Sequence, residues 1–167
     1  GDEIEQRETL YDQFTGYMLD DLLARKRYDD RELGDDAPTD ELRELVLYDN
    51  RLESPIPSSV LRLSHLRVLR LDRNRFDGPL PSFARLSQLE TLHLHRNAFS
   101  GSLRLGEFDA LSNLRVLHAA RNAFTGDVPS FSTATQLTNV YLSRNALSNV
   151  TANVVANVSR LSVVDLS

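Results

Sequence analysis

Arginine recurs at near-equal intervals along this chain of 167 residues, each time directly before an asparagine. The four arginines are Arg73, Arg96, Arg121 and Arg144. Because a guanidinium group can bind a carboxylate or phosphate through two parallel hydrogen bonds, this series predicts a cationic stripe that recognises an acidic ligand. The alternative interpretation is that these side chains are simply solvated, with Asp49 and Asp72 pairing with them locally.

Three of the four histidines, His93, His95 and His118, fall close to this arginine series, whereas His65 lies outside it. Imidazole nitrogens are ligands for Zn²⁺ and Cu²⁺. No carboxylate accompanies the three histidines in their own two segments of the chain, so the support that metal-bound histidines usually have is missing. We therefore expect no metal and no other cofactor, and we interpret the histidines as polar side chains facing solvent, with pH-gated ligand binding as an alternative.

The composition argues against catalysis. The chain has no cysteine, which excludes thiol nucleophiles, disulfides and thiolate metal sites, and Lys26 is its single lysine. The glycine-rich nucleotide motifs, the HExxH zinc motif and the GxSxG serine motif are all absent. We therefore predict that the protein is not an enzyme and has no catalytic residues.

The charge is divided unequally along the chain. Residues 1–41 hold fourteen Asp and Glu against five Lys and Arg, whereas residues 42–167 hold ten against fourteen. The second part is therefore mildly basic, but it lacks the interleaved aromatic and lysine residues of a nucleic-acid surface, so no nucleic acid is expected. No run of eighteen apolar residues occurs, so membrane contact is expected only through a partner or a missing segment.

An internal repeat organises the second part of the chain. The pattern LxxLxLxxN, with Ala119 and Val140 each replacing one leucine, begins at residues 42, 66, 89, 114 and 137, and a sixth start at 161 is cut off before its asparagine. Alternating leucines predict short strands with one buried face. Asn50, Asn74, Asn97, Asn122 and Asn145 end the strands and are predicted to form a ladder of amides that satisfy backbone groups. Phe76, Phe99 and Phe124 are predicted to stack as a column.

This pattern resembles the leucine-rich repeat family, and segments such as Phe76–Pro81 (FDGPLP) and Phe124–Pro129 (FTGDVP) resemble the LxGxIP half of its plant-type subfamily. The resemblance implies an α/β solenoid, a right-handed superhelix with a concave parallel sheet, a second row of short strands, and short helical turns at 58–63, 82–86 and 107–111. The cysteine-paired caps usual in secreted members of the subfamily are missing, as is the tryptophan of the amino-terminal cap.

The predicted concave face is where this architecture usually binds its ligands. On that face the strand positions place Arg70, Tyr48 and Tyr141 beside the arginine series and the three histidines. The candidate ligand-binding residues are therefore Arg70, Arg73, Arg96, Arg121, Arg144, His93, His95, His118, Tyr48 and Tyr141.

Two domains are predicted. Residues 1–41 form an acidic amino-terminal cap and connector, with a helix over about 9–27 that covers the first repeat, and residues 42–167 form the solenoid of five full repeats and a truncated sixth. Because Ser167 falls inside the sixth strand, we expect the chain to continue or a partner to cover that edge.

Three functions remain open from the sequence. The first is a recognition module for a protein, a peptide (possibly acidic) or a glycan. The second is a structural subunit of a larger intracellular or organellar assembly, and the third is the substrate-selecting domain of a larger enzyme. The plant-type repeats and the sequons at Asn149 and Asn157 favour a secreted or cell-surface location, whereas the absence of cysteine favours an intracellular or organellar one.

Overall fold

The computed structural model describes residues 42–103, 108, 110–131, 133–148 and 160–166. The predicted cap over 1–41 and the sequon asparagines Asn149 and Asn157 lie outside the described residues. Within these described ranges, no helix combines the length and the apolar character that crossing a membrane would require.

The described residues contain eleven short strands arranged in two parallel sheets. The strands are β1 (Glu44–Val46), β2 (Glu53–Ser54), β3 (Val68–Arg70), β4 (Arg75–Gly78), β5 (Thr91–His93), β6 (Ala98–Ser102), β7 (Val116–His118), β8 (Ala123–Gly126), β9 (Asn139–Tyr141), β10 (Ala146–Leu147) and β11 (Val163–Asp165). The larger sheet has the order β1-β3-β5-β7-β9-β11, and the smaller one has the order β10-β8-β6-β4-β2. Consecutive repeats therefore stack in sequence order, as the prediction of a leucine-rich repeat solenoid requires.

The larger sheet follows from the alternation of leucine with polar residues. The central residues of its inner strands, Leu69, Leu92, Leu117 and Val140, are at most 1% exposed, while the residues on either side of them are half-buried. These central residues pair in register from strand to strand, and they contribute to one continuous apolar core. The flanking positions consequently form an ordered surface on the other side of the sheet.

The predicted asparagine ladder is confirmed for four of its five members, whereas the fifth, Asn50, donates to the carbonyls of Leu47 and Tyr48 in its own repeat. The Oδ1 atom of Asn97 accepts a hydrogen bond from the backbone N–H of Phe76 at 3.0 Å, and its Nδ2 donates to the carbonyl oxygens of Leu71 and Leu94 at 2.9 and 3.0 Å. Asn74, Asn122 and Asn145 make equivalent contacts to the preceding repeat. Each of these asparagines therefore joins two repeats through backbone groups that would otherwise lack partners.

The predicted phenylalanine column is also confirmed. Phe76, Phe99 and Phe124 are fully buried, and their rings stack with centroid distances of 5.9 and 6.3 Å and interplanar angles of 2° and 6°. The column lies directly after the asparagine ladder in each repeat, so polar and aromatic contacts together fix the stacking of consecutive repeats.

Four strands of the smaller sheet contain, at or next to their last residue, a residue with a left-handed backbone. Gly78, Gly101 and Gly126 adopt φ of 71°, 80° and 78° there, and Ser54 occupies the corresponding position in the first repeat with φ of 89°. A side chain at positive φ is strained because its Cβ approaches the following carbonyl oxygen. The second row of strands is therefore formed as the resemblance implies, with one strained residue in its first turn.

Replacing Ser54 with glycine is expected to raise the free energy of unfolding by about 0.5–1 kcal/mol, because glycine removes the strain of the positive φ at a partly offsetting entropic cost. Chemical denaturation would measure the change. Ser58→Gly is the matched control, since Ser58 is exposed and does not have a positive φ. Equal effects of the two substitutions would contradict the assignment of strain to Ser54.

The segments predicted as short helical turns form single turns where the structure describes them. The first contains a 3₁₀ turn at Val60–Arg62. The segment at 82–86 forms a turn in which the backbone N–H of Leu86 donates to Phe83, and Leu111 donates in the same way to Phe108. A single bond of this kind closes one turn without propagating a helix, so the described residues of the last two segments are turns.

Candidate ligand-binding face

Three rows of residues run across the strands of the larger sheet on its outward side. The first row follows the strand register and consists of Val46, Arg70, His93, His118, Tyr141 and Asp165. The second row lies two residues further along each repeat and consists of Tyr48, Asp72, His95, Ala120 and Ser143. The third row begins with Asp49 and continues with Arg73, Arg96, Arg121 and Arg144, and these four arginines are called the arginine ladder below. All ten candidate residues named from the sequence lie in these rows.

The arginine ladder lies where the chain turns away from the sheet. All four residues are exposed and adopt a left-handed backbone with φ between 55° and 57°. The backbone N–H of Arg73 donates to His95 at 2.9 Å, and that of Arg96 donates to Ala120 at 3.0 Å. Since this backbone pairing continues the sheet, the ladder has the spacing of the strands, about 4.8 Å between consecutive repeats.

The guanidinium groups of the ladder repel one another. The charges of Arg144 and Arg96 lower the pKa of the fully exposed Arg121 from its usual value. Within the described part of the chain, no carboxylate forms an ion pair with any of the four arginines. Among the described residues, Asp49 and Asp72 do not pair with the ladder as expected, and its four guanidinium groups have no carboxylate partner there.

Asp72 instead pairs with Arg70 in the first row. Nε and Nη2 of Arg70 donate to the two carboxylate oxygens of Asp72, both at 3.2 Å, and the Asp72 side chain is 1% exposed. The Arg70 guanidinium also lies over the ring of Tyr48, 4.3 Å from its centroid. Arg70 and Tyr48 are thus part of a packed ionic and aromatic group at the amino-terminal side of the histidines.

The three histidines meet across two strands. His93 and His118 are direct register partners on β5 and β7, with ring centroids 5.6 Å apart. His95 belongs to the second row, yet its ring stacks on His118 with a centroid distance of 3.9 Å. The next residue of that row is Ala120, so no bulky side chain separates His95 from His118. Tyr141 packs on the opposite side of His118 at 4.8 Å.

Burial lowers the pKa of all three histidines. Burial and the neighbouring imidazoles of His95 and His93 lower the pKa of His118 to about 4, against weaker opposing effects of Asp72 and Asp165. Burial and the charge of Arg70 lower the pKa of His93, and burial lowers that of His95 in spite of Asp72. The three imidazoles are consequently neutral at pH 7.

A buried carboxylate accompanies these histidines, contrary to the interpretation made from the sequence. Oδ2 of Asp72 lies 3.6 Å from Nε2 of His95, and Oδ1 lies 4.0 Å from Nδ1 of His93. Asp72 comes from the repeat before the histidines, which is why a search confined to their own two segments missed it. The sequence did contain a signal for this contact, because Asp72 and His95 occupy the same position in adjacent repeats and are therefore neighbours in the second row.

This fold and this outward surface define a solenoid recognition module. Residues 40–99 match the family model described as leucine rich repeat. No curated protein sequence matches the chain significantly. The matched segment covers the first repeats, and the remaining repeats continue the same register.

Three solved structures illustrate the proteins that share this architecture. A TDR receptor is 31% identical, with a TM-score of 0.71 over 75% of this chain and 22% of that one. The ectodomain of the membrane receptor kinase GASSHO1/SCHENGEN3 from Arabidopsis thaliana, in complex with Casparian strip integrity factor 2, is 31% identical, with a TM-score of 0.69 over 73% and 15%. The plant peptide hormone receptor RGFR1, in complex with RGF2, is 25% identical, with a TM-score of 0.68 over 76% and 20%.

The family model over residues 40–99 and these structures support the plant-type leucine-rich repeat family that the sequence resembles. It spans less than a quarter of the length of these three structures. The prediction of a non-catalytic repeat array is confirmed by the family and by the class of the structural neighbours.

Proposed function

We propose that the outward face of the larger sheet binds an acidic peptide or an acidic segment of a protein, with the arginine ladder as its principal contact. The observation that carries this proposal is the row of four exposed guanidinium groups without ion-pair partners among the described residues. Their mutual repulsion, expressed in the lowered pKa of Arg121, is relieved when an anionic ligand binds.

The dimensions of the ladder fit an extended peptide. Four arginines at the spacing of adjacent strands span roughly 14 Å, which an extended chain covers in about four or five residues. Such a segment runs across the strands, so that its carboxylates meet successive guanidinium groups. Tyr141 and the histidines border the ladder and supply apolar and hydrogen-bonding contacts for neighbouring ligand residues.

The structural neighbours support a peptide as the ligand class. The receptor RGFR1 was solved in complex with RGF2, and GASSHO1/SCHENGEN3 in complex with Casparian strip integrity factor 2. The excess of basic over acidic residues in 42–167, fourteen against ten, supports an acidic ligand in particular. An acidic glycan presents the same carboxylate chemistry and is the alternative ligand for the same ladder.

Selection from a random-sequence peptide library on the immobilised protein tests this proposal. We expect the bound peptides to be enriched in Asp and Glu relative to the input library, and their affinity to fall about tenfold between 50 and 500 mM salt. Enrichment of peptides without an acidic excess, or affinity that does not depend on salt, would contradict the proposal. Binding of polygalacturonate but of no acidic peptide would assign the ladder to a glycan instead.

A further inference from the structure

The histidines form a second site on the same face that the arginine ladder does not require. One ring nitrogen from each of His93, His95 and His118 lies within 4.8 Å of the other two. From this convergence and the buried carboxylate beside it, we propose that the three histidines bind one divalent transition-metal ion of the zinc and copper class.

Two of the imidazoles have a nitrogen that the described residues leave unsatisfied. Nδ1 of His93 and Nδ1 of His95 are buried and have no hydrogen-bond partner in the part of the chain that the structure describes. Buried polar atoms without partners are rare because each one costs free energy. In His95 the nitrogen that faces Asp72 is Nε2, so Nδ1 is available to donate its electron pair to a metal. In His93 the unsatisfied Nδ1 is itself the nitrogen that faces Asp72, and a small ring rotation lets it donate an N–H to that carboxylate while Nε2 binds the metal.

Asp72 has the position of a residue that orients metal-bound histidines. Its carboxylate is 3.6 Å from a nitrogen of His95 and 4.0 Å from a nitrogen of His93, and Arg70 holds it from the other side. Histidines that bind metal commonly donate their second N–H to such a carboxylate, which fixes the ring and raises its basicity.

Three imidazole nitrogens as ligands favour some metal ions over others. Three imidazoles suit Zn²⁺, Cu²⁺ and Ni²⁺, whereas Mg²⁺ and Ca²⁺ prefer oxygen ligands. Metal–nitrogen bonds of 2.0–2.1 Å in a tetrahedral site place ligand nitrogens roughly 3.3 Å apart. The widest separation of 4.8 Å therefore closes by about 1.5 Å, which side-chain rotation supplies. The side chains of His93 and His95 remain 23% and 14% exposed, so a further coordination position is open to solvent.

Calorimetric titration of the 167-residue chain with ZnCl₂ alone tests this site, with MgCl₂ as the comparison ion. We expect one equivalent of Zn²⁺ to bind and Mg²⁺ not to compete. His118→Gln is expected to weaken zinc binding by about 100-fold or more, because it removes one of three ligands. His65→Gln is the matched control, since His65 is exposed and lies outside the cluster, and it is expected to leave zinc affinity unchanged.

Absence of zinc binding in the wild-type chain would overturn the proposal, and so would a His118→Gln variant that binds zinc as tightly as His65→Gln. X-ray absorption of the zinc-loaded wild-type protein gives a second measurement that needs no variant. We expect imidazole scattering from about three ligands at 2.0–2.1 Å. A first shell made only of oxygen ligands would instead show that the ion occupies carboxylates elsewhere in the chain.

Discussion

Replacing Asn97 with alanine is expected to lower the free energy of unfolding by about 3 kcal/mol. The substitution removes an acceptor for the N–H of Phe76 and a donor for the carbonyl oxygens of Leu71 and Leu94. Each unsatisfied buried backbone group costs roughly 1–3 kcal/mol. The stability of a repeat array also depends on the interface between neighbouring repeats, and this substitution weakens one such interface. Denaturation in guanidinium chloride followed by circular dichroism would measure the loss.

Asn113→Ala provides the matched control for this prediction. Asn113 also donates its amide to a carbonyl of the preceding repeat, that of Ser87 at 2.9 Å, but the contact is exposed to solvent. Water replaces an exposed hydrogen bond, so we expect a loss below about 1 kcal/mol. If Asn97→Ala were no more destabilising than Asn113→Ala, the asparagine ladder would not be what joins the repeats.

Reversing two charges of the arginine ladder is expected to abolish most of the binding. In the Arg96→Glu, Arg121→Glu double variant, two attractive contacts with an acidic peptide become repulsive. Coupling energies of about 1.5 kcal/mol or more for each close charge pair give a loss in affinity of at least about 100-fold. Both side chains are exposed, so the melting temperature should stay within a few degrees of the wild type.

The control for charge reversal lies on the opposite side of the repeats. Arg62 and Arg85 are exposed residues of the turns between the sheets, and Arg62→Glu, Arg85→Glu changes the net charge by the same amount. We expect this control to lose less than about threefold in affinity for a peptide selected on the wild type, because only long-range attraction changes. A loss equal to that of the ladder variant would mean that net charge, and no particular face, determines binding.

Much of the fold was predictable because the same pattern of buried and polar positions recurs in five repeats. The alternating leucines of each repeat predict a strand with one buried face, and Leu69, Leu92 and Leu117 indeed pair in register in the core. The asparagine recurs at the same offset in all five repeats and the phenylalanine in the second, third and fourth, so their ladder and column could be inferred without coordinates. Periodicity specifies which positions are neighbours in adjacent repeats.

The backbone of the arginine ladder was not predictable in the same way. Left-handed residues are uncommon outside glycine, asparagine and aspartate, so arginine gives no local signal for this conformation. The turn out of the sheet imposes it, since the following asparagine must direct its amide back to the carbonyl groups of its own and the preceding repeat. The hydrogen bonds of the asparagine ladder therefore offset the strain of the left-handed arginines.

The grouping of the histidines depended on packing that periodicity does not describe. His95 lies in a different row from His118, and its ring reaches His118 because Ala120 leaves the intervening position open. Asp72 is buried because Arg70 covers it, and neither contact follows from residue spacing. Side-chain size and charge pairing between rows decided these contacts.

The most direct test of the recognition face is the position of a bound ligand. A peptide selected on the wild-type protein would carry a photoreactive benzophenone, and the cross-linked residues would be identified by mass spectrometry. Our account predicts cross-links to residues 91–97 and 116–122, on the outward side of the larger sheet, and their loss in the Arg96→Glu, Arg121→Glu variant. Cross-links confined to the turns at 58–63 and 82–88 would contradict it.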